Sequence, residues 1–274
     1  MEKALREAGN DEPRAVAECL LSHFLGCGRM DLALRSEISL TRQQSMGLEA
    51  AMERLIAGEP LQYVLGEVDF LGRIFKTDRR ALIPRPETEL LVEEVLADSG
   101  LWSRPGVSIA DVGTGTGCMA VCLALLHVEA EIAAVDISPE ALDLARENAR
   151  SHGVDQRIRF LQGDLLQGWR ACSLDAVVSN PPYVSTGEWA RLPVMIRQYE
   201  PRDALDGGED GLLLVRRLVE QAAGALKPGG RIFLEMGEDQ AARVDALLVS
   251  HGFENLKIRR DLCGHERIAT GAKR

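Results

Sequence analysis

Four residues that could bind and orient a polar group follow a strand-like run near the middle of the chain. The run 174–179 is mostly apolar and predicts a buried strand. Pro181 and Pro182 end it, because proline offers no backbone N–H to a sheet. The side-chain oxygen of Asn180 and the backbone carbonyl of Pro181 can accept hydrogen bonds, and the ring of Tyr183 can pack on a flat group. Taken alone, these residues also fit a turn in which the asparagine bonds the local backbone.

A glycine-rich loop between a predicted strand and a predicted helix could hold a ligand. This glycine loop consists of Gly113, Thr114, Gly115, Thr116 and Gly117. Without side chains, its backbone can approach a ligand and turn tightly into the helix. A dinucleotide fingerprint requires Gly or Ala at the sixth position, where Cys118 stands, so the loop argues against NAD. A tight turn without a ligand is the alternative interpretation.

Two aspartates follow the next two predicted strands. Asp136 ends the second strand, where a carboxylate can accept both hydroxyls of a ribose. After the third strand, Asp164 could accept a hydrogen bond from an adenine amino group, with Leu165 against the ring. Because the carboxyl ends of parallel strands meet at one edge of a sheet, these residues and the glycine loop predict a nucleoside site. Each aspartate alone would be an ordinary turn residue.

Strands and helices alternate from residue 107 onward, which predicts an α/β fold. The predicted strands are 107–112, 131–136, 158–163, 174–179, 231–236, 255–260 and 266–270. The predicted helices are 117–127, 139–151, 211–226 and 238–250. This order favours a seven-stranded, mostly parallel sheet between two helical layers. The turn DLCGHE is too short for a parallel crossover, so the last two strands are expected to form an antiparallel hairpin.

Two further regions precede this α/β part. Residues 1–60 show helical periodicity and predict a small N-terminal helical domain. Residues 61–84 contain short apolar runs and glycines, which predict a β-hairpin or connector. The α/β domain then spans 85–274 and opens with a helix that begins at Pro86.

The composition narrows the class of protein. The chain has 274 residues, of which 46% are hydrophobic and 27% charged, as in ordinary globular proteins. Its net charge of −10 disfavours direct nucleic-acid binding, which depends on Lys and Arg. No apolar run is long enough for a membrane span and no signal peptide is recognisable, so a cytoplasmic protein is expected. The six cysteines lack zinc-ligand spacing and predict reduced core thiols without a metal.

The order of these motifs resembles the class I S-adenosylmethionine-dependent methyltransferases, whose Asn-Pro-Pro-Tyr branch methylates planar nitrogens. Further segments are similar to the HemK-type protein-(glutamine-N5) methyltransferases. These segments are GEPLQYVLG (58–66), LIPRPETE (82–89), EPRDALDGGEDGL (200–212) and LKPGGRIFLEMG (226–237). The resemblance runs from about residue 10 to the end and implies a Rossmann-like domain. It also implies that the N-terminal helical domain recognises the substrate. One departure is His265-Glu266, where Arg-Asp or a similar pair is expected.

The family acts on the glutamine of the Gly-Gly-Gln motif in peptide-chain release factors. The resemblance therefore implies Asn180, Pro181 and Tyr183 as catalytic residues, with Pro182 as a further substrate contact. Asn180 and the Pro181 carbonyl would hold the glutamine NH₂ and stabilise the positive charge that grows on its nitrogen. Tyr183 would cover the amide and face the sulfonium of the cofactor. Arg85 in the LIPRPETE segment is a candidate residue for orienting the substrate.

The resemblance also assigns the predicted nucleoside site to a cofactor. S-adenosyl-L-methionine would be the methyl donor and S-adenosyl-L-homocysteine the product. The predicted contacts are the glycine loop, Asp136, Asp164, Leu165 and Asn180.

Three other functions are compatible with parts of the same pattern. A glutamine methyltransferase of a ribosomal protein would share the catalytic motif. An adenine-N6 methyltransferase on DNA or RNA would use it on an exocyclic amine, but the net charge and the LIPRPETE segment argue against it. A catalytically silent protein-binding module is disfavoured by the intact glycine loop and Asn180. The acidic segment 200–212 is either solvated surface or a lining of the substrate side.

Overall fold

The computed structural model describes residues 1–34, 39–103 and 105–274. The helices are α1 (Glu2–Glu7), α2 (Pro13–Leu25), α3 (Arg29–Ala33), α4 (Arg42–Ile56), α5 (Leu61–Leu65), α6 (Pro86–Ala97), α7 (Cys118–Leu126), α8 (Pro139–Ser151), α9 (Thr186–Trp189), α10 (Val194–Tyr199), α11 (Leu213–Ala225) and α12 (Ala241–Ser250). The strands are β1 (Glu67–Phe70), β2 (Arg73–Lys76), β3 (Ser108–Val112), β4 (Glu131–Asp136), β5 (Ile158–Gln162), β6 (Leu174–Ser179), β7 (Leu226–Glu235), β8 (Phe253–Arg260) and β9 (Glu266–Lys273).

Helices from the N-terminal region pack around a small apolar centre. Its buried residues are Leu5, Ala17, Leu20, Leu48, Ala51 and Leu55. Helix α4 begins at a capping box, in which Thr41 and Gln44 exchange side-chain to backbone hydrogen bonds. The region 1–60 is thus largely helical, as its periodicity predicts, with residues 35–38 outside the described part.

The predicted hairpin is present but shorter than the segment 61–84. β1 pairs with β2 in antiparallel register. Residues 61–65 form α5 instead, which follows Pro60 and ends at Gly66 in a left-handed conformation. Glu89 accepts a hydrogen bond from the Leu71 backbone N–H at the tip of the hairpin, which ties it to α6.

The central sheet has seven strands in the order β5-β4-β3-β6-β7-β9-β8. Its first five strands run parallel, and β9 is antiparallel to both β7 and β8. This confirms the predicted α/β fold with its C-terminal antiparallel hairpin. The strand order reverses between β3 and β6, and ligands of open α/β sheets bind beyond the strand ends at such a point.

Helices cover both faces of the sheet, as the alternation of strands and helices predicts. Ala176 and Val178 of β6 pack in the layer that contains α6 and α7, whereas Val177 packs in the layer of α11 and α12. Successive residues of a strand point to opposite faces, so a strand buried on both sides must be apolar throughout. This explains why the run before Asn180 is apolar rather than alternating.

Some predicted boundaries differ from the structure. β7 begins at Leu226 rather than 231, because Leu226 already pairs with Leu174 before an irregularity in the ladder. α12 begins at Ala241 rather than 238, because Gln240 first folds back and accepts a hydrogen bond from the Gly237 N–H.

The cysteines are only partly core residues. All six are free thiols. Cys118 and Cys122 are buried on α7, and burial raises the pKa of both thiols. The expectation of core thiols is wrong for Cys172 and Cys263, which are exposed.

Candidate functional site

The carboxyl ends of β3, β4 and β6 lie side by side at one edge of the sheet. Val112 at the end of β3 pairs with Val135 of β4 on one side and with Ser179 of β6 on the other. The glycine loop follows β3, Asp136 ends β4, and Asn180 follows β6. Groups that are far apart in the sequence therefore converge on one crevice.

The backbone of the glycine loop adopts conformations that favour glycine. The φ angles are 73° at Gly113, 55° at Gly115 and 78° at Gly117. The loop is tied to β4, since the N–H groups of Gly113 and Thr114 donate to the Val135 carbonyl at 2.8 and 3.0 Å. A Cβ at position 117 would lie 2.8 Å from the Cβ of Ala145, so Gly117 also permits close packing of α7 on α8.

Asp136 is held by two backbone N–H groups. Its Oδ2 accepts from Gly115 at 2.9 Å and its Oδ1 accepts from Ser138 at 3.0 Å. Burial raises the pKa of this carboxyl, and the two backbone hydrogen bonds oppose that shift. Each carboxylate oxygen has two lone pairs, so Asp136 retains acceptor capacity for hydroxyl groups.

Asp111 lies fully buried beneath the glycine loop. Its Oδ2 accepts from the Thr114 hydroxyl at 2.7 Å and from the Ala120 N–H at 3.1 Å. Its Oδ1 has no hydrogen-bond partner within the described ranges. Burial raises the pKa of Asp111 to about 7. A buried acceptor without a donor suits a ligand that brings a donor or a positive charge.

Asp164 and Leu165 lie beyond β5, next to the end of β4. The Gly163 N–H donates to the Asp136 carbonyl at 2.9 Å, which connects the two strand ends. Asp164 is already engaged, because its Oδ2 accepts from Arg217 at 2.6 Å. Leu165 has a φ of 56°, which is uncommon for a residue with a branched side chain. The adenine-binding role of both residues stays a prediction.

Asn180 belongs to a hydrogen-bonded chain of side chains. Its Nδ2 donates to Thr88 Oγ1 at 3.0 Å. Thr88 Oγ1 donates to Glu235 Oε2 at 2.7 Å, and the Tyr183 hydroxyl donates to Glu235 Oε1 at 3.1 Å. The chain connects the first turn of α6, the end of β7 and the segment after β6.

Glu235 is fully buried at the centre of this chain. Burial raises its pKa to about 7, and the hydrogen bonds from Thr88 and Tyr183 oppose that shift. Burial also raises the pKa of Tyr183, and the neighbouring Glu235 carboxylate adds to it. Tyr183 is therefore a neutral phenol whose hydroxyl is held by Glu235.

The acidic segment 200–212 packs against the backbone of the Asn-Pro-Pro-Tyr motif. A Cβ at Gly207 would lie 2.6 Å from the Pro182 carbonyl oxygen, and a Cβ at Gly211 would overlap that of Tyr183. The Gly207 N–H donates to the Val184 carbonyl at 2.7 Å. The interpretation of this segment as solvated surface is therefore wrong where its glycines contact the motif.

Arg85 pairs with the first residue of that segment. Its Nη2 donates to Glu200 Oε1 at 2.5 Å, and the Glu200 side chain is only 2% exposed. Glu200 Oε2 also accepts from the Ile83 N–H at 3.3 Å. This pairing supplies a structural task for Arg85, beside its predicted role in orienting the substrate.

No metal-binding group of His, Cys, Asp and Glu occurs within the described ranges. Among the same residues, no helix has both the length and the apolarity needed to cross a membrane.

Comparisons with known proteins decide the family. Residues 1–66 match the model described as the PrmC N-terminal domain, and residues 86–197 match the methyltransferase small domain. A release factor glutamine methyltransferase of Chlorobaculum tepidum is 44% identical over 258 residues, which cover 92% of this chain and 87% of that protein. The one from Moorella thermoacetica is 41% identical and covers 99% of this chain and 95% of that protein. The chain belongs to the release factor glutamine methyltransferases.

Solved structures establish the same fold. A methyltransferase from Pyrococcus furiosus aligns with a TM-score of 0.55 at 18% identity and covers 85% of this chain and 99% of that one. A 16S rRNA methyltransferase of T. thermophilus, in complex with AdoMet and guanosine, aligns with a TM-score of 0.54 at 19% identity, over 76% of this chain and 50% of that one. At these identities the likeness concerns the class I methyltransferase fold alone.

Three residues that contact this site are not predicted by the sequence patterns. Thr88, Glu200 and Glu235 are buried polar side chains that contact predicted site residues. Glu235 offered one signal, because a single acidic residue interrupts the apolar run Ile-Phe-Leu-Glu-Met of a predicted buried strand. Thr88 and Glu200 offered none, since threonine and glutamate are ordinary in a first helical turn and an acidic loop.

Proposed function

We propose that this chain transfers the methyl group of S-adenosyl-L-methionine to the side-chain amide nitrogen, N5, of the glutamine in the Gly-Gly-Gln motif of peptide-chain release factors. Similarity to release factor glutamine methyltransferases over nearly the full length supports the substrate class. The observation that carries the chemistry is Asn180, which follows β6 beside the glycine loop and donates through its Nδ2 to Thr88. Its oxygen is thereby left to accept a hydrogen bond from an incoming amide.

The residues at the strand ends fit S-adenosyl-L-methionine. When bound, this cofactor supplies an electrophilic methyl group on a positively charged sulfonium. The unpartnered Oδ1 of buried Asp111 suits a cationic ligand, and the open lone pairs of Asp136 suit ribose hydroxyls. A Cβ at Gly113 would lie 3.9 Å from the Asn180 carbonyl oxygen, so the glycine loop and the segment that begins at Asn180 lie close together. The glycine loop, Asp136, Asp164, Leu165 and Asn180 would hold the cofactor.

Asn180 and Pro181 would activate the substrate by position rather than by removing a proton, and the methylated nitrogen would lose its extra proton to solvent after the transfer. An amide nitrogen is a weak nucleophile, because its lone pair is delocalised into the carbonyl. Two acceptors, Asn180 Oδ1 and the Pro181 carbonyl, would hold the NH₂ so that the nitrogen faces the methyl group. As positive charge develops on nitrogen, these oxygens would stabilise the transition state more than the ground state. The Tyr183 ring, with Pro182 beside it, would cover the amide and exclude water.

The helical region 1–60 would recognise the release factor, in line with the match of residues 1–66 to the PrmC N-terminal domain. Arg85 is a candidate for orienting the substrate from the exposed part of its side chain, which is 32% accessible. Direct nucleic-acid binding is not expected for a chain of net charge −10. The cytoplasmic location stays a prediction.

A transfer assay tests this function directly. The purified chain is incubated with methyl-labelled S-adenosylmethionine and a release factor, with ribosomal proteins and with DNA in separate reactions. Label should appear on the glutamine of the release factor's Gly-Gly-Gln motif and should be absent when that glutamine is replaced. Label on DNA or on a ribosomal protein, with none on the release factor, would reject the proposed substrate.

Two variants separate chemistry from cofactor binding in this assay. Asn180→Ala should lower kcat by roughly 100-fold or more, because one oxygen that stabilises the transition state is lost. Cofactor affinity, measured by calorimetry, should change little. Asp136→Ala should instead weaken S-adenosylmethionine binding by roughly tenfold or more, because hydrogen bonds to hydroxyls are lost. Near-normal turnover in the first variant, or unchanged affinity in the second, would refute the role concerned.

A further inference from the structure

Thr88 can face Asn180 only as a hydrogen-bond acceptor. A threonine hydroxyl carries a single hydrogen, and in Thr88 this hydrogen points to Glu235 Oε2 at 2.7 Å. Towards Asn180 the Thr88 oxygen therefore presents lone pairs. The Asn180 Nδ2, at 3.0 Å, is the matching donor, whereas the flipped amide would place two acceptor oxygens against each other.

Glu235 determines the direction of this hydrogen bond. Its side chain is 0% exposed, and both of its oxygens accept from hydroxyl groups, one from Thr88 and one from Tyr183. The charged groups that face it are Glu87 on α6 and Arg267 on β9. Above its raised pKa of about 7, Glu235 is a carboxylate and an acceptor only, so both hydroxyls turn their hydrogens towards it.

From this geometry we propose that Thr88 and Glu235 are positioning residues for methyl transfer, which hold the Asn180 amide with its nitrogen turned inward and its oxygen towards the substrate. The same carboxylate fixes the Tyr183 hydroxyl, so one buried group orients two of the side chains that would contact the glutamine. This inference rests on the proposed function, because it gives the Asn180 oxygen its task there.

The orientation matters because the two faces of an asparagine amide are similar in shape and opposite in hydrogen bonding. A substrate amide NH₂ needs an acceptor. The flipped Asn180 would offer it a second NH₂, which repels it. A free asparagine visits both orientations, so a fixed one raises the fraction of productive complexes and stabilises the transition state without reorganisation.

The first test reads the orientation itself and needs no substrate. The chain has four asparagines, Asn10, Asn148, Asn180 and Asn255, so selective ¹⁵N-asparagine labelling yields a simple spectrum of side-chain NH₂ groups. The Asn180 pair, assigned by its loss in Asn180→Ala, should exchange slowly with water in the parent protein. Thr88→Val keeps the shape but removes the acceptor, and should shift this pair and speed its exchange at least tenfold. Thr88→Ser should restore the parent pattern.

A matched control is available in Thr77, another buried threonine. Its hydroxyl has no hydrogen-bond partner within the described part of the chain. Thr77→Val should therefore leave the Asn180 signals in place. Unchanged Asn180 signals in Thr88→Val, or equal changes in Thr77→Val and Thr88→Val, would overturn the inference.

The second test measures the reaction. Thr88→Val and Glu235→Gln should each lower kcat by roughly 10- to 100-fold, the usual effect of removing a group that orients a site residue. The KM for the release factor and the affinity for S-adenosylmethionine should stay within about threefold of the parent. Thr88→Ser should recover most of the rate. The double variant should be no slower than the slower single variant, because both act through Asn180.

Equal rates for Thr88→Val and the parent would overturn the inference, as would equal losses in Thr88→Ser and Thr88→Val. A parent protein that does not methylate the release factor would reject the proposed function instead. In that case the asparagine spectra of Thr88→Val and Glu235→Gln still decide whether Thr88 and Glu235 orient Asn180.

Discussion

At the residue scale, the site depends on carboxyl groups that the fold removes from water. Asp111 and Glu235 are each 0% exposed, and burial raises the pKa of both to about 7. Burial of a charged group is costly unless it is paired or accepts hydrogen bonds. Glu235 has two hydroxyl donors, whereas one oxygen of Asp111 has none within the described ranges. Buried carboxyl groups with a raised pKa are typical of binding and catalytic sites, where a ligand can supply a missing hydrogen-bond partner.

The raised pKa of Glu235 predicts how its replacement alters stability. The folded state binds this proton up to about pH 7, whereas the unfolded chain releases it near 4.5, the ordinary pKa of a glutamate. The stabilisation is therefore fully present below the unfolded pKa and is lost as pH rises to about 7. The glutamine in Glu235→Gln does not titrate. Between pH 5 and pH 8, the free energy of unfolding of this variant should therefore rise by roughly 2 kcal/mol relative to that of the parent. Urea titrations of both apo proteins at several pH values measure the difference. A difference in unfolding free energy that is constant with pH would contradict the prediction. The titration of Asp111 does not affect this difference, because both proteins retain that residue.

At the scale of elements, segment 200–212 packs against the backbone of the Asn-Pro-Pro-Tyr motif. Its glycines leave room for the carbonyl groups of Pro182 and Tyr183, and Gln240 before α12 donates to the Tyr183 carbonyl at 2.8 Å. The Val184 N–H donates to the Leu205 carbonyl, and the Gly207 N–H donates to the Val184 carbonyl. The two segments therefore pair like neighbouring strands. The backbone from Pro182 to Val184 is thereby fixed, although it lies outside the sheet.

Gly211→Ala tests this support. The residue has a φ of 74°, and its Cβ would overlap the Tyr183 carbonyl oxygen, so the unfolding free energy should fall by about 2 kcal/mol or more. The rate of methyl transfer should fall as well, because the motif must shift. Gly224→Ala is the matched control, since nothing lies within 4 Å of its Cβ on α11. That variant should be more stable by about 0.5 to 1 kcal/mol and keep its rate. Denaturant titrations and transfer assays measure both quantities. Equal losses of stability and rate in the two variants would contradict this view.

At the scale of the whole molecule, the N-terminal helices are attached to the same support. The Tyr199 hydroxyl at the end of α10 donates to the Ala57 carbonyl after α4 at 3.2 Å, and the Tyr63 hydroxyl of α5 donates to Ala81 at 2.7 Å. Tyr63, Ile83 and Tyr199 form a buried cluster. The helical region is therefore connected, through Tyr199, to the segment that packs against Asn-Pro-Pro-Tyr.

The Arg85–Glu200 pair belongs to this junction. Variants of the pair can separate a structural role of Arg85 from its predicted role in orienting the substrate. Arg85→Ala leaves the buried Glu200 carboxylate without its cation, so the unfolding free energy should fall by about 2 to 3 kcal/mol. Adding Glu200→Gln should recover most of that loss, because the neutral amide needs no counter-charge and can still accept from Ile83. Thermal unfolding and transfer rates of both variants distinguish the roles. If the double variant recovers stability but not the transfer rate, Arg85 also orients the substrate. If it does not recover stability, Arg85 does not stabilise the fold by pairing with Glu200.

The sequence by itself determined the order of strands and helices, the glycine loop after β3, and the Asn-Pro-Pro-Tyr motif after β6. These features follow from local causes: apolar periodicity, proline at strand ends and helix starts, and glycine where φ is positive. Only the tertiary structure decided that Thr88 and Glu235 control the Asn180 amide, that Glu200 engages Arg85, and that segment 200–212 packs behind the motif. Such contacts join residues far apart in the chain, and their energies depend on burial and on the direction of single hydrogen atoms, which no local pattern encodes.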